Sequence, residues 1–371
     1  MTPQISTYTP PRILAQGSYD EQGLERFLGE LPQERDDRDI LPSQLAELFK
    51  INNPELIYHS DFKVTCSRFV EETLKSSGMR TYGDWIYFSS SRTLLHTLSQ
   101  DELFRLRTDR NKNLITDDEQ RVLLQKTLAI IGLSVGGHFA TTCAYGGIGG
   151  HFKLADFDTL DTTNLNRLRA RLIDVETPKI NLTADAMHHV DPHLRLSLYP
   201  EGISESMLPD FFAHPKPDII FEAIDDFRMK IILRVEARKL GIPFVMLTSL
   251  GDNILVDIER FDLNPLLSLF HGFAGNTLEE ILSGEITPEK EKNFALAIVG
   301  RQHIPLRAIE TVGEIGKTRV GRPQLASTVF LNGGLSAYIA RTILLGDRSL
   351  SGRFFFSLPR LFIDNAENNE Q

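Results

Sequence analysis

The sequence predicts an α/β protein in which a mostly parallel sheet carries helices on both faces, preceded by a small α+β module. Three observations predict it. From Thr127 onward, strand-like runs alternate with helical stretches: the apolar, β-branched TLAIIGL, then SVGGHFATTCAYGG, HFKLAD, PKINLTADAMHHV and LRLSLYP. That alternation is the signature of strand–helix–strand units. The first run ends in GLSVGG, where glycines let a strand turn sharply into a helix. Before Leu98 the alternation is missing: LERFLGEL, PSQLAELF and CSRFVEETLKSS have helical spacing, and DWIYFSSSRTLLHTL reads as two strands around a serine-rich turn.

Taken in order, residues 1–20 are polar and proline-containing and predict a flexible arm. Residues 21–105 form the α+β module, closed by a charged, partly helical connector, DELFRLRTDRNKNLITDDEQRVLLQ. Residues 106–371 form the larger domain. After the elements quoted above come a helix in ISESMLPDFFAH, a fourth strand in DIIFEAID, a helix in DFRMKIILRVEARKLG, a fifth strand in PFVMLTS and an added strand in NILVDIERFD. Residues 263–320 are rich in Pro, Gly and Glu and predict an irregular crossover; QLASTVFLNGGLSAYIARTILLG is a long apolar helix, and RFFFSLPRLF a late strand.

With 371 residues the chain has room for these two domains, and 41% hydrophobic with 24% charged residues is ordinary for a globular protein. A net charge of −10 argues against non-specific nucleic-acid binding. The two cysteines, Cys66 and Cys143, are too few and too far apart for a disulfide framework or a structural zinc site. No run reaches the length of a membrane span, and the N-terminus lacks a signal-peptide core. The expectation is a cytoplasmic protein with no nucleic-acid or membrane partner.

Ligands of open parallel sheets bind outside the carboxyl ends of the strands. The first such end carries Gly132, Ser134, Gly136 and Gly137, a turn that lets backbone approach a phosphate at a helix N-terminus. The second ends at Asp156, nineteen residues past Gly137, the position of a ribose-binding carboxylate in a Rossmann-like domain. A dinucleotide site needs that acid and nothing basic after it. Here Asp156 and Asp158 are followed by Asn164, Arg167 and Lys179, donors suited to phosphate. The fourth strand ends in Asp225-Asp226 at the same edge, and a carboxylate facing phosphates points to Mg²⁺. Ribose, phosphates and metal together make an ATP site. Structural alternatives remain beside this: a ligand-free glycine turn, and an N-cap at Asp225 or Asp226 for the following helix.

The combination IIGLSVGG…LADFDTLDTTNLNRLRA…PKINLTA…FEAIDD resembles the ThiF/MoeB/HesA superfamily of ubiquitin-activating-enzyme-like adenylyltransferases. The resemblance implies an ATP-dependent adenylyltransferase that activates a carboxylate as an acyl-adenylate and releases pyrophosphate. It implies Asp156 on the ribose, Asn164, Arg167 and Lys179 on phosphates, Asp225 on Mg²⁺, and a homodimer in which Arg110 of one copy reaches the other's ATP. Some peptide-modifying relatives carry an N-terminal peptide-binding module. A peptide or small protein with a reactive carboxylate is therefore the implied substrate, with the edge of the WIYFSSSRTLLHTL hairpin as a docking strand; the module reads equally as one that only completes the dimer or covers the sheet. The sequence departs from the family pattern at Ser134, Val135 and Leu168 and lacks its CxxC pairs, so no zinc is expected. Neither cysteine stands where a thioester-forming nucleophile would. Two rivals stay open: a degenerate nucleotide-binding scaffold and an NAD-dependent oxidoreductase.

Overall fold

A computed structural model describes residues 8–78, 80–275, 277–284 and 287–367. The chain divides into two compact units, one holding the described residues up to Asp118 with Asp185–Leu194, the other Glu119–Ala184 and the described residues from Arg195 on.

The first unit contains β1 (Arg12–Leu14), α1 (Glu21–Gly29), β2 (Asp36–Asp39), α2 (Leu41–Asn52), α3 (Phe62–Ser77), β3 (Asp84–Phe88), β4 (Thr93–Thr97) and α4 (Gln100–Thr108). The side chain of Asp20 caps α1 through the Gly23 N–H, and Pro42 sits in the first turn of α2, where its missing N–H costs nothing. The hairpin β3–β4 is antiparallel as its sequence predicts, but it lies in the middle of a four-stranded sheet ordered β1-β3-β4-β2. Two expectations are corrected here. Residues 12–14 of the expected arm are a strand on β3. The hairpin also has no open edge, because β1 and β2 cover it on either side. Every residue of β2, DDRD, is exposed, so no apolar alternation marks it as a strand.

The second unit runs α5 (Asp117–Leu124, divided between the units after Asp118), β5 (Thr127–Ile131), α6 (Gly136–Tyr145), β6 (His151–Ala155), α7 (Lys179–Val190, divided between the units after Ala184), β7 (Arg195–Tyr199), α8 (Leu208–Ala213), β8 (Ile219–Glu222), α9 (Phe227–Leu240), β9 (Phe244–Leu250) and β10 (Asn253–Glu259). It continues through α10 (Thr277–Leu282), α11 (Pro288–Val299), α12 (Leu306–Val312), α13 (Ala326–Leu344), β11 (Gly352–Ser357) and α14 (Leu358–Glu367). The seven strands are ordered β11-β10-β9-β8-β5-β6-β7. The five from β9 to β7 are parallel, and β10 and β11 extend the β9 edge antiparallel. Central strands buried along their whole length, such as β5, read as continuous apolar runs rather than alternating ones.

Helices flank this sheet, and its core joins Ala129, Ile131, Phe211, Ile231, Phe244 and Phe270 with their neighbours. The expected irregular crossover at 263–320 holds α10, α11 and α12. Two of these are too short, at six and seven residues, to show a helical period. RFFFSLPRLF is a strand only to Ser357, where α14 begins. Among the described residues no helix is long and apolar enough to cross a membrane.

Candidate nucleotide-binding site

The carboxyl ends of β5, β6 and β8 form one edge of the sheet, with β5 between the other two. Leaving β5, the backbone at Gly132 has φ +87°, and a Cβ there would lie 2.5 Å from the carbonyl oxygen of Ala223. Only glycine lets this turn lie against the end of β8. Helix α6 follows, and its N-cap, Val135, offers no side-chain bond to the first turn. Its amino end stands at this edge, with the Gly137 and His138 N–H groups bonded to the Leu133 and Val135 carbonyls.

Asp156, at the end of β6, is buried and accepts from the Leu133 N–H at 2.5 Å and the Asp158 N–H at 2.8 Å. Burial pushes its pKa up, while those N–H groups and Lys179 pull the other way. Each carboxylate oxygen retains a second lone pair for a hydroxyl donor. The same carboxylate thus ties the glycine turn to the acidic loop. Lys179 opens α7, buried, with its Nζ 2.8 Å from Asp158 Oδ2. Asn164 is buried in a reciprocal cap: its Oδ1 accepts the Asp161 N–H at 3.1 Å, and the Asp161 side chain accepts the Asn164 N–H. Arg167 donates through one terminal nitrogen to Thr163 O at 3.1 Å and Asn166 Oδ1 at 2.8 Å. Its Nε is buried with no hydrogen-bond partner. Burial lowers its pKa. The Arg167 carbonyl bonds to His138 Nε2 at 2.9 Å, which holds this loop on α6.

Past β8 the two aspartates part company. Asp226 caps α9 by accepting the Met229 N–H at 2.9 Å. Asp225 does no capping; its side chain is 85% exposed and is paired with Arg322. Among the described residues no group of three or more His, Cys, Asp or Glu is gathered for a metal. A lone exposed carboxylate does fit Mg²⁺ that takes its other ligands from phosphates and water. Thus Gly132, Gly136, Gly137, Asp156, Asp158, Asn164, Arg167, Lys179 and Asp225 belong to one unit and its carboxyl edge. Ser134 lies in the glycine turn with them. Arg110 stands in a single turn, Asp109–Asn111, of the other unit and is exposed. Cys143 is fully buried with its thiol pKa pushed up to about 12, which removes it as a nucleophile.

Sequence reasoning missed a buried ion network directly below Asp225. Glu222 accepts from Lys230 Nζ at 2.6 Å, Arg234 at 3.0 Å and the Ile224 N–H at 2.8 Å. Arg234 reaches on to Glu259 at 2.6 Å and lies between the rings of Phe244 and Phe270. Burial opposes the charge of Glu222, but the two cations hold its pKa below the ordinary value. The available signal was Lys230 and Arg234 one helical turn apart on α9, behind a strand ending in Glu222. A cavity of roughly 370 Å³ opens at the amino ends of the strands, beside Lys126, Asp218 and Pro243. Its two lysines are bonded to Asp218 and the Leu240 carbonyl, and it gathers no site residue.

The model of the ThiF family matches residues 108–358. An uncharacterized protein of Mycobacterium tuberculosis is 34% identical over 269 residues, 72% of this chain and 37% of that protein. The chain therefore spans little more than a third of this relative's length. A molybdopterin-synthase adenylyltransferase of Haemophilus influenzae is 24% identical over 231 residues, 61% of this chain and 90% of that enzyme. Among solved structures, that of PaaA has a TM-score of 0.50 at 18% identity, covering 94% of this chain and 96% of the other, a likeness of fold.

Proposed function

The chain belongs to the ThiF family, and on that premise we propose that it is an ATP-dependent adenylyltransferase that activates a carboxylate. The observation that carries the reading is the buried, partnerless Nε of Arg167 on the loop bound to α6. A buried cationic donor without an acceptor is costly unless an anion completes it, and a nucleotide phosphate at this edge does so. The carboxylate oxygen of the substrate attacks the α-phosphorus. The bond from that phosphorus to the oxygen bridging the β-phosphate breaks, and pyrophosphate leaves with the electron pair. Arg167, Asn164 and Lys179 bind the phosphates and draw charge from the α-phosphorus. Lys179 exchanges Asp158 for phosphate as the nucleotide enters, and Asp156 accepts the ribose hydroxyls. Magnesium, held by Asp225 and the phosphates, supplies further neutralisation of the phosphate charge when bound.

The substrate in this reading is a peptide or protein C-terminus, or a peptide side chain. With the hairpin interior to its sheet, any added strand has β1 or β2 as its neighbour. The enzyme acts as a cytoplasmic homodimer, with Arg110 of one copy reaching the other's nucleotide. A nucleotide-binding scaffold without turnover is the second reading, favoured by the Lys179–Asp158 pair and by Ser134 and Val135 in the glycine turn.

Exchange of labelled pyrophosphate into ATP, measured with a pool of peptides bearing free carboxylates, separates the readings. Adenylation predicts exchange that requires both magnesium and peptide and falls about 100-fold or more in Arg167→Ala. Binding of ATP without exchange leaves the scaffold, and binding of NAD in place of ATP overturns both. For the dimer, mixing Arg110→Ala with Asp225→Ala chains restores activity through hybrids with one complete site. A monomer with full activity contradicts it.

A further inference from the structure

The ion pair between Asp225 and Arg322 joins residues 97 positions apart. Arg322 lies on the strap between α12 and α13, and both ends of its neighbourhood are fixed. Two residues on, the Gln324 carbonyl accepts from Asn166 Nδ2 at 3.0 Å, beside Arg167. The first turn of α13 is held by Thr328, whose hydroxyl donates to the Gly251 carbonyl at 2.9 Å. Other strap cations have local partners: Lys317 bonds the Gly313 carbonyl, and Arg319 lies 3.6 Å from Glu314. Arg322 instead reaches across to the carboxylate at the end of β8. Its side chain is 54% exposed and that of Asp225 85%, so the pair is screened by water and weak enough to exchange.

We propose that Arg322 is a residue of the nucleotide site, which holds the Asp225 carboxylate while phosphate is absent and passes to the phosphate chain when magnesium takes that carboxylate. This rests on the adenylation reading above. A guanidinium has no lone pair for a metal and does not deprotonate, so a dication on the Asp225 carboxylate repels it and draws off the charge that held it. The anions that arrive with the metal are phosphate oxygens, whose spacing matches the guanidinium fork. The tether at Gln324 keeps Arg322 between Asp225 and the Asn166–Arg167 loop, so the exchange requires the side chain to swing rather than the strap to leave. Arg322 then acts from within the same chain.

The test is calorimetric titration of the whole chain with ATP, with and without magnesium, for wild type, Arg322→Ala, Arg322→Lys and Arg167→Ala. With magnesium, Arg322→Ala weakens ATP binding about tenfold and Arg322→Lys recovers part of it. Without magnesium, Asp225 keeps its hold on Arg322, and wild type and Arg322→Ala bind ATP within about twofold. Equal affinities with magnesium overturn the proposal, as does an equal loss with and without it, which marks a structural role. If Arg167→Ala loses binding while Arg322→Ala does not, the proposal alone fails. If wild type binds no ATP, the adenylation reading falls and the proposal with it.

Discussion

Glu222 and Asp225 stand three residues apart at the end of one strand, and the chain treats them in opposite ways. Glu222 is fully buried, and its two oxygens take bonds from Lys230, Arg234 and the Ile224 N–H. Asp225 is exposed and, among the described residues, is paired with the half-exposed Arg322. The same contrast separates two arginines. Arg234 is wholly buried and shared between Glu222 and Glu259, whereas Arg167 keeps a buried Nε with no acceptor. The difference teaches how to sort charges at a sheet edge. Charges whose bonding capacity is filled within the fold hold the scaffold, and charges left short of a partner at the carboxyl edge mark the candidate site.

The largest effect that follows concerns the saturated set. Replacing Glu222 by Gln leaves Lys230 and Arg234 facing a neutral amide in the interior. Breaking a buried pair from one side costs about 3–5 kcal/mol, and the expected result is a fall of that size in unfolding free energy by denaturant titration. An unchanged midpoint would break the comparison, since the network would then hold nothing in place.

A smaller effect sharpens it from the ligand side. The His138 ring bonds the Arg167 carbonyl, and burial holds its pKa below the ordinary value. Because the folded state resists protonating this ring, stability is present above the unfolded value of about 6.5 and is lost as pH falls below it. Unfolding midpoints from about pH 7.5 to pH 5 are expected to fall in wild type by more than in His138→Gln, with a difference under about 1 kcal/mol. A parallel fall in both would remove His138 from the account.

Much of the larger unit was legible because its physics is local. Apolar β-branched runs mark β5 and β8, the glycines mark the turn at Gly132, and the residues DFDTLDTTNLNR mark the loop at the carboxyl edge. What could not be read depends on distant partners or leaves no period. The exposed edge strand β2 carries DDRD and exists only because β4 offers its backbone. The short helices α10 and α12 are one to two turns long. The roles of Asp225 and Asp226 were equivalent on paper, since either one caps a helix; the structure gives the cap to Asp226 alone. Arg322 had no local signal at all, being joined to the site only by tertiary structure.

The central claim is that the charges at the carboxyl edge are arranged for phosphate and not for stability. It is tested most directly by titrating wild type and Arg167→Ala with magnesium-ATP while recording the denaturation midpoint of each. The account predicts that the variant binds at least about tenfold more weakly at an unchanged midpoint. Equal binding, or a loss of binding that only follows a loss of stability, would contradict it.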